Sequence, residues 1–97
     1  NAAMMSCGVE MWHPAPAQFY QEGAGPLYDM GPYYLTAVVA LFGPIAEIRA
    51  MAATGFEKRK IYSQPLAGEE LTVETPTYYT ALLKLSGGLI ANLTISF

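Results

Sequence analysis

Cysteine and histidine are almost missing from this chain of 97 residues, with one of each, Cys7 and His13. A lone cysteine excludes an internal disulfide and fits a reducing, cytoplasmic setting. A lone histidine excludes a multi-histidine metal centre, so no metal is expected. Charge is scarce too: charged residues make up 13% of the chain against 53% hydrophobic, with a net charge of −3. The longest basic run is Lys58-Arg59-Lys60, too little for the many phosphate contacts that nucleic-acid binding needs. No apolar run approaches the roughly 20 residues that cross a bilayer, so no membrane partner is expected. A GxGxxG fingerprint behind a strand, a P-loop, CxxC, HExxH and GxSxG are all lacking. Gly23-Ala24-Gly25 has neither the third glycine nor the leading strand of a dinucleotide site. The apolar share is enough to fill a core, and the length suits one domain.

Hydrophobic periodicity sets out the elements. Val9, Met11 and Trp12 predict a strand in the second half of residues 1–12, with Trp12 in the core. Three prolines and two glycines in His13 to Pro26 predict a long loop of the kind that often carries function. Leu35, Val38, Val39 and Phe42 recur at helical spacing, and Gly43-Pro44 closes that helix. Pro32 fits its first turn, with Leu27 to Gly31 as a separate preceding turn. Ile45 to Ala53 reads as a strand and residues 55–68 as an exposed excursion, partly extended around Lys60 to Tyr62. Glu70 to Thr75 alternates as a strand does. The clearest feature is a hairpin, residues 77–85 and 89–97, whose Gly87-Gly88 supplies the positive φ of a tight turn. In its second strand Leu89, Ala91, Leu93, Ile95 and Phe97 share one face. The fold class is α+β: an open, mainly antiparallel sheet with a helix packed on one face.

Chemistry concentrates in residues 23–44. Asp29 and Tyr33 stand four apart, so on a helix they project from one face. A carboxylate accepts a proton from a hydroxyl and a phenol donates one, which makes a proton-handling pair. An aspartate ahead of a Gly-Pro step also suits a helix cap, and the residues alone leave both roles open. His13 could reach a substrate hydroxyl from the start of the loop. Beside Trp12 and Pro14 it equally fits a packing role. Tyr20, Tyr28 and Tyr34 could stack on the flat face of a ligand or fill core and rim. With one helix to cover it, part of the sheet stays open for another subunit or for further chain.

The run Gly23, Gly25, Asp29, Gly31, Tyr33, Thr36 and Gly43 resembles the helix signature of the Gfo/Idh/MocA substrate domain. That signature is a glycine-rich approach, Asp-x-Gly-x-His/Tyr, and an apolar helix closed by glycine. His13-Pro14-Ala15-Pro16 with its following aromatics is similar to the lead-in of one subgroup. The likeness runs over most of residues 8–54, while the later hairpin agrees in pattern only. The resemblance implies that residues 1–97 are part of a C-terminal substrate-binding and oligomerisation domain. The Rossmann domain that binds NAD or NADP, and a substrate-binding lysine, would lie outside this chain. It further implies hydride transfer at a CH-OH group of a sugar, cyclitol or related polyol, with Asp29 and Tyr33 as catalytic residues. His13, Tyr20 and Thr36 become expected substrate contacts, and no residue here is assigned to the cofactor. Tyr33 stands where many members carry histidine, and Thr36 where an acidic residue is frequent. Members commonly form dimers or tetramers through the sheet, so a homo-oligomer is expected. The competing reading is a non-catalytic binding or oligomerisation module in which Asp29 is only a cap.

Overall fold

The computed structural model describes residues 1–97. Six strands and one long helix follow one another: β1 (Ala2–Met5), α1 (Pro26–Phe42), β2 (Ile45–Ala53), β3 (Lys58–Lys60), β4 (Glu70–Thr72), β5 (Tyr78–Leu85) and β6 (Ile90–Ser96). Four strands form a mixed sheet in the order β1-β6-β5-β2, and β3 and β4 make a separate two-stranded ribbon. β5 runs antiparallel to both β6 and β2, whereas β1 lies parallel to β6. The α+β class and the mainly antiparallel sheet are as the pattern predicts.

The hairpin forms where expected, with Ala81 opposite Leu93 and Tyr79 opposite Ile95. Its turn differs in detail. Of the two glycines only Gly88 has positive φ. The Gly88 N–H donates to Leu85 O and the Leu85 N–H to Leu89 O, a turn followed by one bulge residue. β2 also matches its predicted bounds. It is an edge strand, exposed along nearly its whole length.

Three expectations about the first half are corrected. The N-terminal strand is Ala2–Met5, whereas Val9–Met11 is a 3-10 turn. The Glu10 carbonyl accepts from both Tyr62 N and Ser63 N, so this stretch bonds to a loop and not to a sheet ladder. Trp12 is 67% exposed and is not core. Within the predicted loop, Pro16–Tyr20 forms a second 3-10 turn. The helix, for its part, is unbroken from Pro26, with Pro32 inside it. Pro32 cannot donate to the Tyr28 carbonyl, but both residues are exposed, so water can take the freed acceptor.

Two apolar clusters hold these elements. Val38, Leu83, Leu85, Leu93 and Ile95 form the seam between α1 and the hairpin. A Cβ at Gly31 would meet Leu27 Cδ1 at 3.0 Å and Ile95 Cδ1 at 3.4 Å, so glycine is what lets α1 lie close on β6. The second cluster comprises Val9, Tyr20, Ile61, Leu71 and Phe97. It joins both 3-10 turns to the ribbon, so residues 55–68 are not wholly exposed: Ile61 and Ser63 are buried. No helix is long and apolar enough to cross a membrane.

Ile95→Ala should cost about 3 kcal/mol through the cavity it leaves under α1. Ile48→Ala, on the exposed edge strand, should cost under about 1 kcal/mol. Urea unfolding of the two variants against the parent measures the difference.

Candidate functional site

α1 has one face fixed by the core, and that decides what the other face presents. Leu27, Gly31, Tyr34 and Val38 lie toward the sheet. At about 100° per residue, Asp29 sits about 180° round the helix from Val38. Tyr33 and Thr36 follow at one and two turns on the same outward face, and all three are exposed, Tyr33 by 71%. The chain therefore brings Asp29, Tyr33 and Thr36 together as one stripe. Thr36 also borders a shallow depression with Leu35, Val39 and Ala40.

The helix start shows what Asp29 does locally. Gly25, with φ of 94°, is the capping residue, and no side chain caps the helix. Asp29 lies one turn inside, its N–H donating to Gly25 O at 3.0 Å. Its charge faces the positive end of the helix, a favourable position worth a few tenths of a kcal/mol, roughly. With Gln18, Phe19, Ala24, Gly25 and Tyr28, Asp29 lines an open cleft between α1 and the Pro16–Tyr20 turn. Gln18 and Phe19 thus join the site as neighbours that helical spacing alone could not reveal, because both come from the loop.

His13 is half-buried and packed edge-on against Phe19, with ring centroids 4.8 Å apart. Its Nδ1 accepts from Ala15 N at 2.9 Å, and Ser63 Oγ donates to its carbonyl. A ring whose Nδ1 accepts carries its proton on Nε2 when neutral. The residue braces Phe19, one wall of the cleft; its ring bond is local, and its carbonyl is tied to Ser63.

Tyr20 is a correction. It has 0% exposure, so it offers no surface to a substrate. Its hydroxyl donates to Glu10 Oε2. Glu10 in turn pairs with Arg59 at 2.9 Å, with side-chain exposures of 6% and 9%. Arg59 also donates to Phe97 O at 2.9 Å and Cys7 O at 3.3 Å. Its Nε is left buried without a partner. Burial first, and then the hydrogen bond to Glu10, push the Tyr20 phenol well above the usual tyrosine range, with Arg59 opposing. Glu10 and Arg59 escaped the sequence reading. The one available signal was a single carboxylate, Glu10, set among Val9, Met11 and Trp12.

Two kinds of cofactor can be tested against these residues. No three His, Cys, Asp or Glu side chains come together as a metal site. The glycine approach is not a phosphate cradle either. A Cβ at Gly25 would meet Thr75 Cγ2 at 2.9 Å and the Pro76 carbonyl oxygen at 3.2 Å, so that glycine makes room for a neighbouring segment of the chain. Pro26, the first residue of α1, has no N–H to offer an anion. A dinucleotide is not held by these groups.

A family model described as GFO/IDH/MocA C-terminal domain matches residues 3–97. No curated protein matches the chain.

The raised Tyr20 phenol has a consequence for stability. The unfolded chain loses that proton near pH 10, while the folded chain keeps it. Above that pH the unfolded state binds fewer protons, so stability falls as pH rises. Urea midpoints should drop more steeply above about pH 10 in the parent than in Tyr20→Phe and run parallel below about pH 9.

Proposed function

Because the chain belongs to the GFO/IDH/MocA family as its C-terminal domain, a family of oxidoreductases, we propose that it is the substrate-binding part of an NAD- or NADP-dependent enzyme acting at a CH-OH group of a sugar, cyclitol or related polyol. The observation that carries this reading is the outward stripe of α1. Asp29 and Tyr33 stand one turn apart and exposed, on a helix whose opposite face is fixed on the sheet. Asp29 opens into the cleft beside Gln18, Phe19 and Tyr28.

The division of labour follows from the side chains. The Asp29 carboxylate accepts a hydrogen bond from a substrate hydroxyl and so orients the ring. The Tyr33 phenol donates to the reacting oxygen or takes up its proton. A phenol needs a nearby cation to act as a base at neutral pH. We assign that cation to a lysine outside residues 1–97, as we do the whole dinucleotide site. Thr36, two turns along the stripe, is a third hydroxyl-binding candidate, and His13 acts by holding Phe19. An exposed, unpaired Cys7 agrees with a reducing, cytoplasmic setting.

The sheet face away from α1 carries Met51, Leu82 and Ile90, all exposed. We propose that a second copy of the protein covers this face. Leu82→Glu would bury a charge there, and the expected outcome is a smaller species in sedimentation velocity with the monomer still folded.

The deciding experiment uses the full-length protein. Titration with both nicotinamide nucleotides and a polyol panel read at the nicotinamide absorbance should give binding and turnover. Asp29→Asn should then lower kcat by about a hundredfold with the unfolding temperature lowered by no more than about 2 °C. An absence of binding to either nucleotide sinks the enzyme reading and favours a non-catalytic assembly module.

A further inference from the structure

The two walls of the Asp29 cleft are held in different ways. The helix wall rests on the apolar seam of Val38, Leu93 and Ile95. The opposite wall, Gln18 and Phe19, belongs to a turn with no strand partner, and Gln18 is exposed. What ties this wall down is the next residue, Tyr20. Its ring stands edge-on to Phe97 with centroids 5.8 Å apart, and its carbonyl accepts from Glu74 N at 2.7 Å. Its hydroxyl meets Glu10, which Arg59 holds through Nη1 at 2.9 Å. Arg59 also reaches the carbonyls of Cys7 and Phe97, so one guanidinium joins three segments far apart in sequence.

A buried ion pair is a poor way to gain stability, because apolar residues of similar volume do as well or better. What it supplies is directional geometry. Resting on the substrate reading above, we infer that Arg59 is a positioning residue: acting through Glu10 and Tyr20, it sets the distance between the Pro16–Tyr20 turn and α1, and with it the width of the substrate cleft. Arg59 does not line the cleft itself.

The test uses the full-length protein. Arg59→Met strands the Glu10 carboxylate in the interior and can fail to fold, so Tyr20→Phe is the main variant. It deletes one oxygen and keeps the ring against Phe97. Amide hydrogen exchange over residues 16–25 should quicken about tenfold while the β5–β6 hairpin is unchanged. KM for a polyol that the parent turns over should rise about fivefold with kcat held within about twofold. Equal loosening of turn and hairpin would make the cluster merely structural and overturn the inference. So would a loosened turn with KM unchanged. Should no polyol be turned over, the enzyme reading is the one that fails. The exchange pattern still decides whether the cluster holds the turn.

Discussion

Burial of strand β6 against α1 is the contact on which the remaining geometry depends. β6 is paired on both sides, parallel to β1 and antiparallel to β5. Ile95 is fully buried beneath Gly31, and Phe97, two residues on, enters the second cluster. The strand and the residue that follows it therefore serve both cores. Because Gly31 fixes which side of α1 meets the sheet, it also fixes which side does not. The stripe of Asp29, Tyr33 and Thr36 faces outward as a consequence of apolar packing on the far side of the helix. No polar interaction of those three residues is needed to aim them.

The second cluster works by a different kind of force. Around Tyr20 the apolar contacts of Val9, Ile61, Leu71 and Phe97 enclose a charged pair and a phenol. Apolar contacts are non-directional and tolerate small slips. The hydrogen bonds of Glu10, Arg59 and Tyr20 do not, because each donor must meet its acceptor in a narrow range of angles. The loop that faces Asp29 is thus joined to the sheet by the less forgiving of the two. A cleft wall made from a proline-rich loop gains a defined position in this way without a strand ladder of its own.

The corrections share one physical origin. Val9, Met11 and Trp12 have the composition of a strand, yet the Glu10 backbone bonds to Tyr62 and Ser63, and a 3-10 turn results. Lys58-Arg59-Lys60 reads as a solvated charge run. Within it Arg59 turns inward to a carboxylate 49 residues away in sequence. Tyr20 is expected as a substrate contact and is the most enclosed tyrosine of the chain. In each case a partner distant in sequence outweighed local propensity, and a single chain gives no local sign of such a partner.

The sequence by itself determined the α+β class, the hairpin, the strand Ile45–Ala53, the helix before Gly43 and the likeness of residues 23–44 to a substrate-domain signature. All of these rest on short-range facts: alternation, helical spacing, glycine at a turn. Asp29 and Tyr33 could be paired for the same reason, being four apart on one helix. Only the tertiary structure decided that Asp29 is not the helix cap, that Gln18 and Phe19 stand across from it, and that Tyr20 is withdrawn into a buried cluster with Glu10 and Arg59. Those outcomes depend on which segments meet across the fold. Hydrophobic burial and charge pairing choose such meetings by shape and distance in space, and spacing along the chain does not encode either.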